Sequence, residues 1–129
     1  MGEFLAATAG PIDRIVSSLH SELVAMRCAV GLIKSCYLDD VRVNFEGDSS
    51  VVLEAMKGKG EDYSIWGSVI NYLRFFLLGL PNLECSHVWR EGNLAVHRLA
   101  RMGLGVSQEL VWFEEPPFLI QDILFEEGL

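Results

Sequence analysis

The chain has 129 residues, 18 acidic against 10 basic side chains and a formal net charge of -8; half of its residues are hydrophobic and 22% are charged. That length suits one domain with a single hydrophobic core, and so much apolar material with so little charge excludes a disordered tail. The acidic balance repels phosphate at long range, which excludes tight non-specific nucleic-acid binding, yet it suits a site that gathers divalent cations before it meets phosphate.

The first predicted element is a short strand, Glu3 to Thr8, closing at the turn-like Ala9-Gly10-Pro11. From a cap at Ser17 or Ser18 an amphipathic helix runs to about Lys34, with Leu19, Leu23, Met26, Val30 and Ile33 at helical spacing and Lys34 suiting the dipole of its end. Val41 to Phe45 alternates as a strand with one buried face and leads into Glu46-Gly47-Asp48-Ser49. Ser49 or Ser50 caps a short helix through Met56, stopped by Gly58-Lys59-Gly60.

A longer helix spans Ser64 to Leu78. Ile65, Val69, Leu73, Phe76 and Leu80 form its apolar stripe, which Trp66, Ile70 and Leu77 broaden into core material. Past Pro81, Leu83 to Trp89 reads as a strand, and Asn93 caps a helix to about Met102 with Gly103 and Gly105 as stops. Beyond Val111 the Pro116-Pro117 pair breaks the chain, and Leu119 to Phe125 reads as one helical turn or two. The order strand, helix, strand, helix, helix, strand, helix predicts an α/β layer with parallel strands after the first crossover, in one domain over 1–129 with 111–129 as a C-terminal extension.

Cys28, Cys36 and Cys85 are odd in number and lie in no CxxC or Cys/His spacing, so neither a disulfide framework nor a zinc site is expected, and a reducing intracellular compartment, nucleus or cytoplasm alike, fits best. The opening stretch carries Glu3 and lacks an apolar run of secretory length. Ile65 to Leu80 is too short for a bilayer span and is interrupted by Asn71 and Arg74, so no membrane association is expected.

Three patterns occur in order: Ser21-Glu22-Leu23-Val24-Ala25-Met26-Arg27 on the first helix, Phe45-Glu46-Gly47-Asp48-Ser49 at a strand end, and His87-Val88-Trp89-Arg90-Glu91-Gly92-Asn93-Leu94-Ala95-Val96-His97-Arg98-Leu99-Ala100. Together, from about Gly2 to the Trp112 and Pro116-Pro117 region, they resemble the plant ribonuclease H-like domains related to retrotransposon reverse transcriptases. The resemblance implies a mixed sheet flanked by helices. It also implies a site where acidic residues bind two Mg2+ ions, or Mn2+ in their place, to cleave the RNA strand of an RNA–DNA hybrid. Such a site needs hard carboxylate oxygens from distant parts of the chain projecting into one space, because two cations about 3.5 to 4 Å apart clamp the phosphate.

Carried over residue by residue, Glu22 takes the place of the family's helix carboxylate and Asp48 that of the carboxylate beyond the fourth strand, and both are candidate metal ligands. His97 stands where catalytic ribonucleases H place their last aspartate; its imidazole is a candidate proton relay or weak ligand. His87, Arg90 and Asn93 surround the entry to the last helix, where Arg90 and the helix N-terminus are candidates to meet phosphate. Read without the resemblance, Glu22 is a polar residue among apolar neighbours, Asp48 a turn acid, His97 a helix-face histidine, and the other three serve capping and surface pairing with Glu91.

The resemblance further implies that the family's first two strands, with an aspartate in a Lys-x-Asn-x-Asp-Gly type pattern, would precede Gly2. The strand from Glu3 to Thr8 is then expected to have no neighbour within this chain, and the open edge beside Val41 to Phe45 to invite self-association or a partner strand. The leading expectation is a ribonuclease H-like nucleic-acid-binding domain related to RNA–DNA hybrid ribonucleases, with catalysis reduced or lost. The alternative is a non-catalytic protein-interaction or remnant domain. Nothing recommends an unrelated α/β enzyme, since no Walker A, GxGxxG, GxSxG or HExxH pattern appears.

Overall fold

The computed structural model describes residues 3–11, 17–36, 42–80 and 83–127. In chain order it contains β1 (Ala6–Ala9), α1 (Ser18–Ser35), β2 (Asn44–Gly47), α2 (Ser50–Lys57), α3 (Gly67–Leu78), β3 (Glu84–His87), a 3-10 turn (Arg90–Asn93), α4 (Leu94–Gly103), β4 (Leu110–Phe113) and α5 (Phe118–Glu126). These elements fall into two compact units, Arg14–Trp89 on the one hand and Met1–Asp13 with Arg90–Leu129 on the other.

In the unit of residues 14–89, local chemistry starts the helices. The Ser17 hydroxyl accepts the His20 N–H at 3.1 Å, and the Ser49 hydroxyl accepts the Val52 N–H at 3.4 Å, so each serine satisfies an otherwise orphaned donor of a first turn. The apolar stripe of α1 is buried as its spacing predicts, with Leu23 wholly inaccessible and Met26, Val30 and Ile33 inside. At the end of that helix the Lys34 ammonium donates to the Tyr72 hydroxyl at 3.1 Å and lies 5.1 Å from the centre of the Phe76 ring, which ties α1 to α3 through a cation–π contact.

β2 and β3 pair in parallel, in register from Asn44–Glu84 to Gly47–His87, as the predicted crossover requires. A parallel pair cannot be closed by a tight turn; here the chain returns through α2 and α3. Leu23 and Val30 of α1, Val52 and Met56 of α2, and Ile70, Leu73 and Leu77 of α3 form one core, against which Phe45 and Val43 pack. The backbone at Val43 still accepts from Glu84 N–H at 2.9 Å, so pairing extends a residue before β2; the expected strand start at Val41 lies outside the described residues.

α3 begins later than its apolar stripe suggests. Ser64 donates both its N–H and its hydroxyl to the Asp62 carboxylate, the helix starts at Gly67, and Ile65 is 82% exposed rather than part of the buried stripe. The cause is the loop that precedes it. Asn71 accepts the Asp62 N–H at 2.9 Å and donates to the Asp62 carbonyl at 3.1 Å, while Arg74 donates to the carbonyls of Ala55 and Gly60 at 2.7 and 2.9 Å. Polar side chains on α3 thereby hold a glycine-rich loop that has no secondary structure of its own.

In the other unit, β1 pairs antiparallel with β4, from Ala6–Phe113 to Ala9–Leu110, and the Glu114 N–H donates to the Leu5 carbonyl at 3.0 Å. This corrects the expectation that the first strand has no neighbour within the chain. Its partner, Leu-Val-Trp-Phe, is rich in the residues that suit a pleated surface. Yet it shows no alternation by which a strand is recognised in isolation. Ala7 and Ala9 form the buried face of β1, and α4 packs against that strand and against α5. The approach is close enough that a Cβ on Gly103 would lie 2.8 Å from the Gly10 carbonyl oxygen, so glycine is required at the end of α4. Arg98 of α4 pairs with Asp122 of α5 at 2.8 Å and holds that carboxyl below the usual range.

Two outcomes follow. Leu73→Ala removes the most enclosed side chain of α3 and should cost about 2–5 kcal/mol in urea unfolding. The Ser64 hydroxyl and N–H, with Arg74 behind them, hold the Asp62 carboxyl below its ordinary value. A depressed folded pKa contributes stability that is full above the unfolded pKa of about 4 and is lost as pH falls through the folded value. The melting temperature of Asp62→Ala should therefore lie below that of the parent at neutral pH, and the gap should shrink below about pH 4.

Candidate nucleic-acid interface

Parallel strands present their carboxyl ends at one edge of a sheet, where helices begin and ligands gather. In the unit of residues 14–89 that edge is made by Gly47 and His87, the last register pair of β2 and β3, and the Val88 N–H donates to the Gly47 carbonyl at 2.9 Å as the final rung. Asp48 is the first residue beyond β2. It is half-buried, and the capped first turn of α2 follows directly through Ser49.

Glu22 lies on α1 beside the wholly buried Leu23 and is itself half-buried, which places a carboxylate at the margin of the core. Near it in sequence the His20 imidazole stacks on the Trp66 indole at 4.7 Å, with only 8° between the ring planes, and joins the start of α1 to the start of α3. His87, on β3, is exposed and meets Trp89 edge to face, with centroids 5.2 Å apart and planes at 88°. Glu22, Asp48 and His87 thus belong to one unit, and two of the three stand at the same end of its sheet.

The remaining candidates belong to the other unit. Asn93 closes the 3-10 turn and precedes α4, but its side chain makes no capping hydrogen bond, so the capping role expected for it is not found. The turn supplies the reason: Arg90–Asn93 already runs as a 3-10 helix into α4, leaving no extended residue at the junction. His97 is half-buried on α4. The Arg90 side chain lies outside what is described.

Glu22 and Asp48 are the candidate metal ligands. Among the described residues there is no group of three or more His, Cys, Asp and Glu that could hold a metal ion. Mg2+ demands near-octahedral oxygen coordination, which two carboxylates fill only in part. This donor set does not fit a two-cation centre.

A concavity of about 700 Å3 opens elsewhere in the same unit, floored by Met56, Leu77, Leu83 and Cys85 and rimmed by Lys57 and Lys59. It lies toward the opposite end of β3 from His87, and none of Glu22, Asp48, His87, Arg90, Asn93 and His97 lines it. Burial pushes the Cys85 thiol above its ordinary value, against the pull of Lys57, which keeps it a protonated, unreactive thiol. Sequence reasoning passed over the Asp62–Asn71–Arg74 loop clamp and the exposure of Trp89. The only trace of either in the sequence is a pair of polar residues, Asn71 and Arg74, inside an apolar helix and an aromatic residue inside the His87-Val88-Trp89 run.

Among the described residues no helix is long and apolar enough to cross a membrane. No curated protein and no solved structure matches this chain. The reverse transcriptase-like family model matches residues 1–103, which take in all three sequence patterns, the β2–β3 pair and α4. The mixed α/β architecture is consistent with a ribonuclease H-like domain. The chain therefore belongs to the reverse transcriptase-like, ribonuclease H-like family.

Proposed function

We propose that this protein is a ribonuclease H-like domain that binds RNA–DNA hybrid at the carboxyl end of β2 and β3, with catalysis reduced or lost. The observation that supports it is the position of Asp48 at the first residue beyond β2, directly after Gly47, the register partner of the exposed His87. Asp48, with Glu22 of α1, would hold a divalent cation, Mg2+ or Mn2+, and His87 would donate to phosphate. When bound, the cation neutralises phosphate charge and so offsets part of the repulsion expected from a net charge of -8. In the other unit, taken by itself, Arg90 and Asn93 at the turn before α4 are proposed as substrate contacts and His97 as a proton relay.

Hybrid cleavage in Mg2+ should be weak, and Glu22→Ala and Asp48→Ala should each reduce it to background. Equal cleavage by parent and variants would remove both residues from the site. Hybrid affinity should fall as salt rises, because each phosphate contact releases counterions.

A second reading, a non-catalytic protein-interaction module, is favoured by the acidic surface and by the edge of β2 away from β3, which pairs with no strand among the described residues. Such an edge is a template for a strand from a second copy. That reading expects a dimer in sedimentation equilibrium and no hybrid binding at any salt concentration; a concentration-independent monomer would overturn its edge-pairing form.

A further inference from the structure

Trp89 is the second residue beyond β3, and 77% of it is exposed. The other tryptophans, Trp66 and Trp112, are both half-buried. Burial of an indole ordinarily contributes more than that of any other side chain, so an open indole at a sheet end that carries a candidate ligand is a feature to explain. The perpendicular contact with His87 covers at most one face of the indole, and at least one face stays open to solvent.

We infer that Trp89, braced by His87, is a stacking platform for one unpaired nucleobase of the strand that passes Asp48. This rests on the nucleic-acid reading above and specifies the ligand more narrowly. Asp48 and Trp89 follow the last rung of the β2–β3 ladder on adjacent strands, and such strands lie about 4.8 Å apart. A base stacked on the indole therefore brings its phosphodiester to the neighbourhood of Asp48. Stacking on an aromatic face tolerates any base and needs no cation. That matters in a chain with 10 basic side chains against 18 acidic ones, where phosphate attraction cannot supply the affinity. Bases inside a duplex have both faces covered by their neighbours. The ligand is thus a hybrid with a single-stranded overhang or a strand junction rather than an uninterrupted duplex.

The test measures binding of the full chain, in Mg2+ and at low salt, to three labelled probes: a blunt RNA–DNA hybrid, the same hybrid with a short single-stranded overhang, and that overhang made abasic. The abasic probe keeps the phosphates and removes the stacking faces. Expected is an affinity about tenfold higher for the base-bearing overhang than for the abasic one. Trp89→Ala should abolish that difference and Trp89→Phe should retain most of it, with circular dichroism confirming that both variants fold. Equal binding of the two overhangs by the parent, or a difference that survives in Trp89→Ala, overturns the stacking platform while blunt-hybrid binding leaves the broader reading intact. Failure of the parent to bind any of the three probes overturns both.

Discussion

The unit of residues 14–89 depends on one constraint: β2 and β3 run in the same direction, so the chain must travel the length of the sheet before the second strand can form. α2 and α3 make the journey, α1 joins them to complete the helical layer, and Leu23 and Leu73, both wholly buried, lie in the core that all three helices share. The same constraint creates the candidate site. Because both strands end on one side, Asp48 and His87 emerge next to each other without any specific contact between them being needed.

The loop between α2 and α3 shows how a return path is made definite. Gly58-Lys59-Gly60 stops α2 but has no means of choosing a conformation, since glycine tolerates many. Arg74 and Asn71 choose it from outside by satisfying backbone groups of Ala55, Gly60 and Asp62. A planar guanidinium with several donors suits this task, because it reaches two carbonyls on different segments at once. These polar residues interrupt the apolar run of α3, and that interruption reflects a structural role.

Family and activity separate at the level of donors. Membership rests on a family match that runs along residues 1–103. Hydrolysis by a two-cation mechanism needs several carboxylates in one place, and the candidates that the family patterns pick out, Glu22 and Asp48, are two. A chain of net charge -8 also has few side-chain cations to draw phosphate in, which is why the proposed reading turns to a divalent cation and to the exposed Trp89 indole.

Local signals sufficed for α1 and α2. Caps at Ser17 and Ser49, the period of Leu23, Met26 and Val30, and the glycine stop after Met56 act within one or two turns, so they can be read from neighbours in sequence. The parallel sense of β2 and β3 was legible for a related reason, since the length of the intervening helices permits little else. The positions of Asp48 and His87 at the sheet end followed from it. Tertiary structure alone decided the rest. Ala6 meets Phe113 from the other end of the chain, and no local pattern announces a partner at that separation. Ile65 continues the apolar period of α3 yet stays in solvent, because the Asp62–Ser64 bonds delay the helix. The openness of the Trp89 indole depends on what surrounds it in space, and sequence spacing carries no information about that.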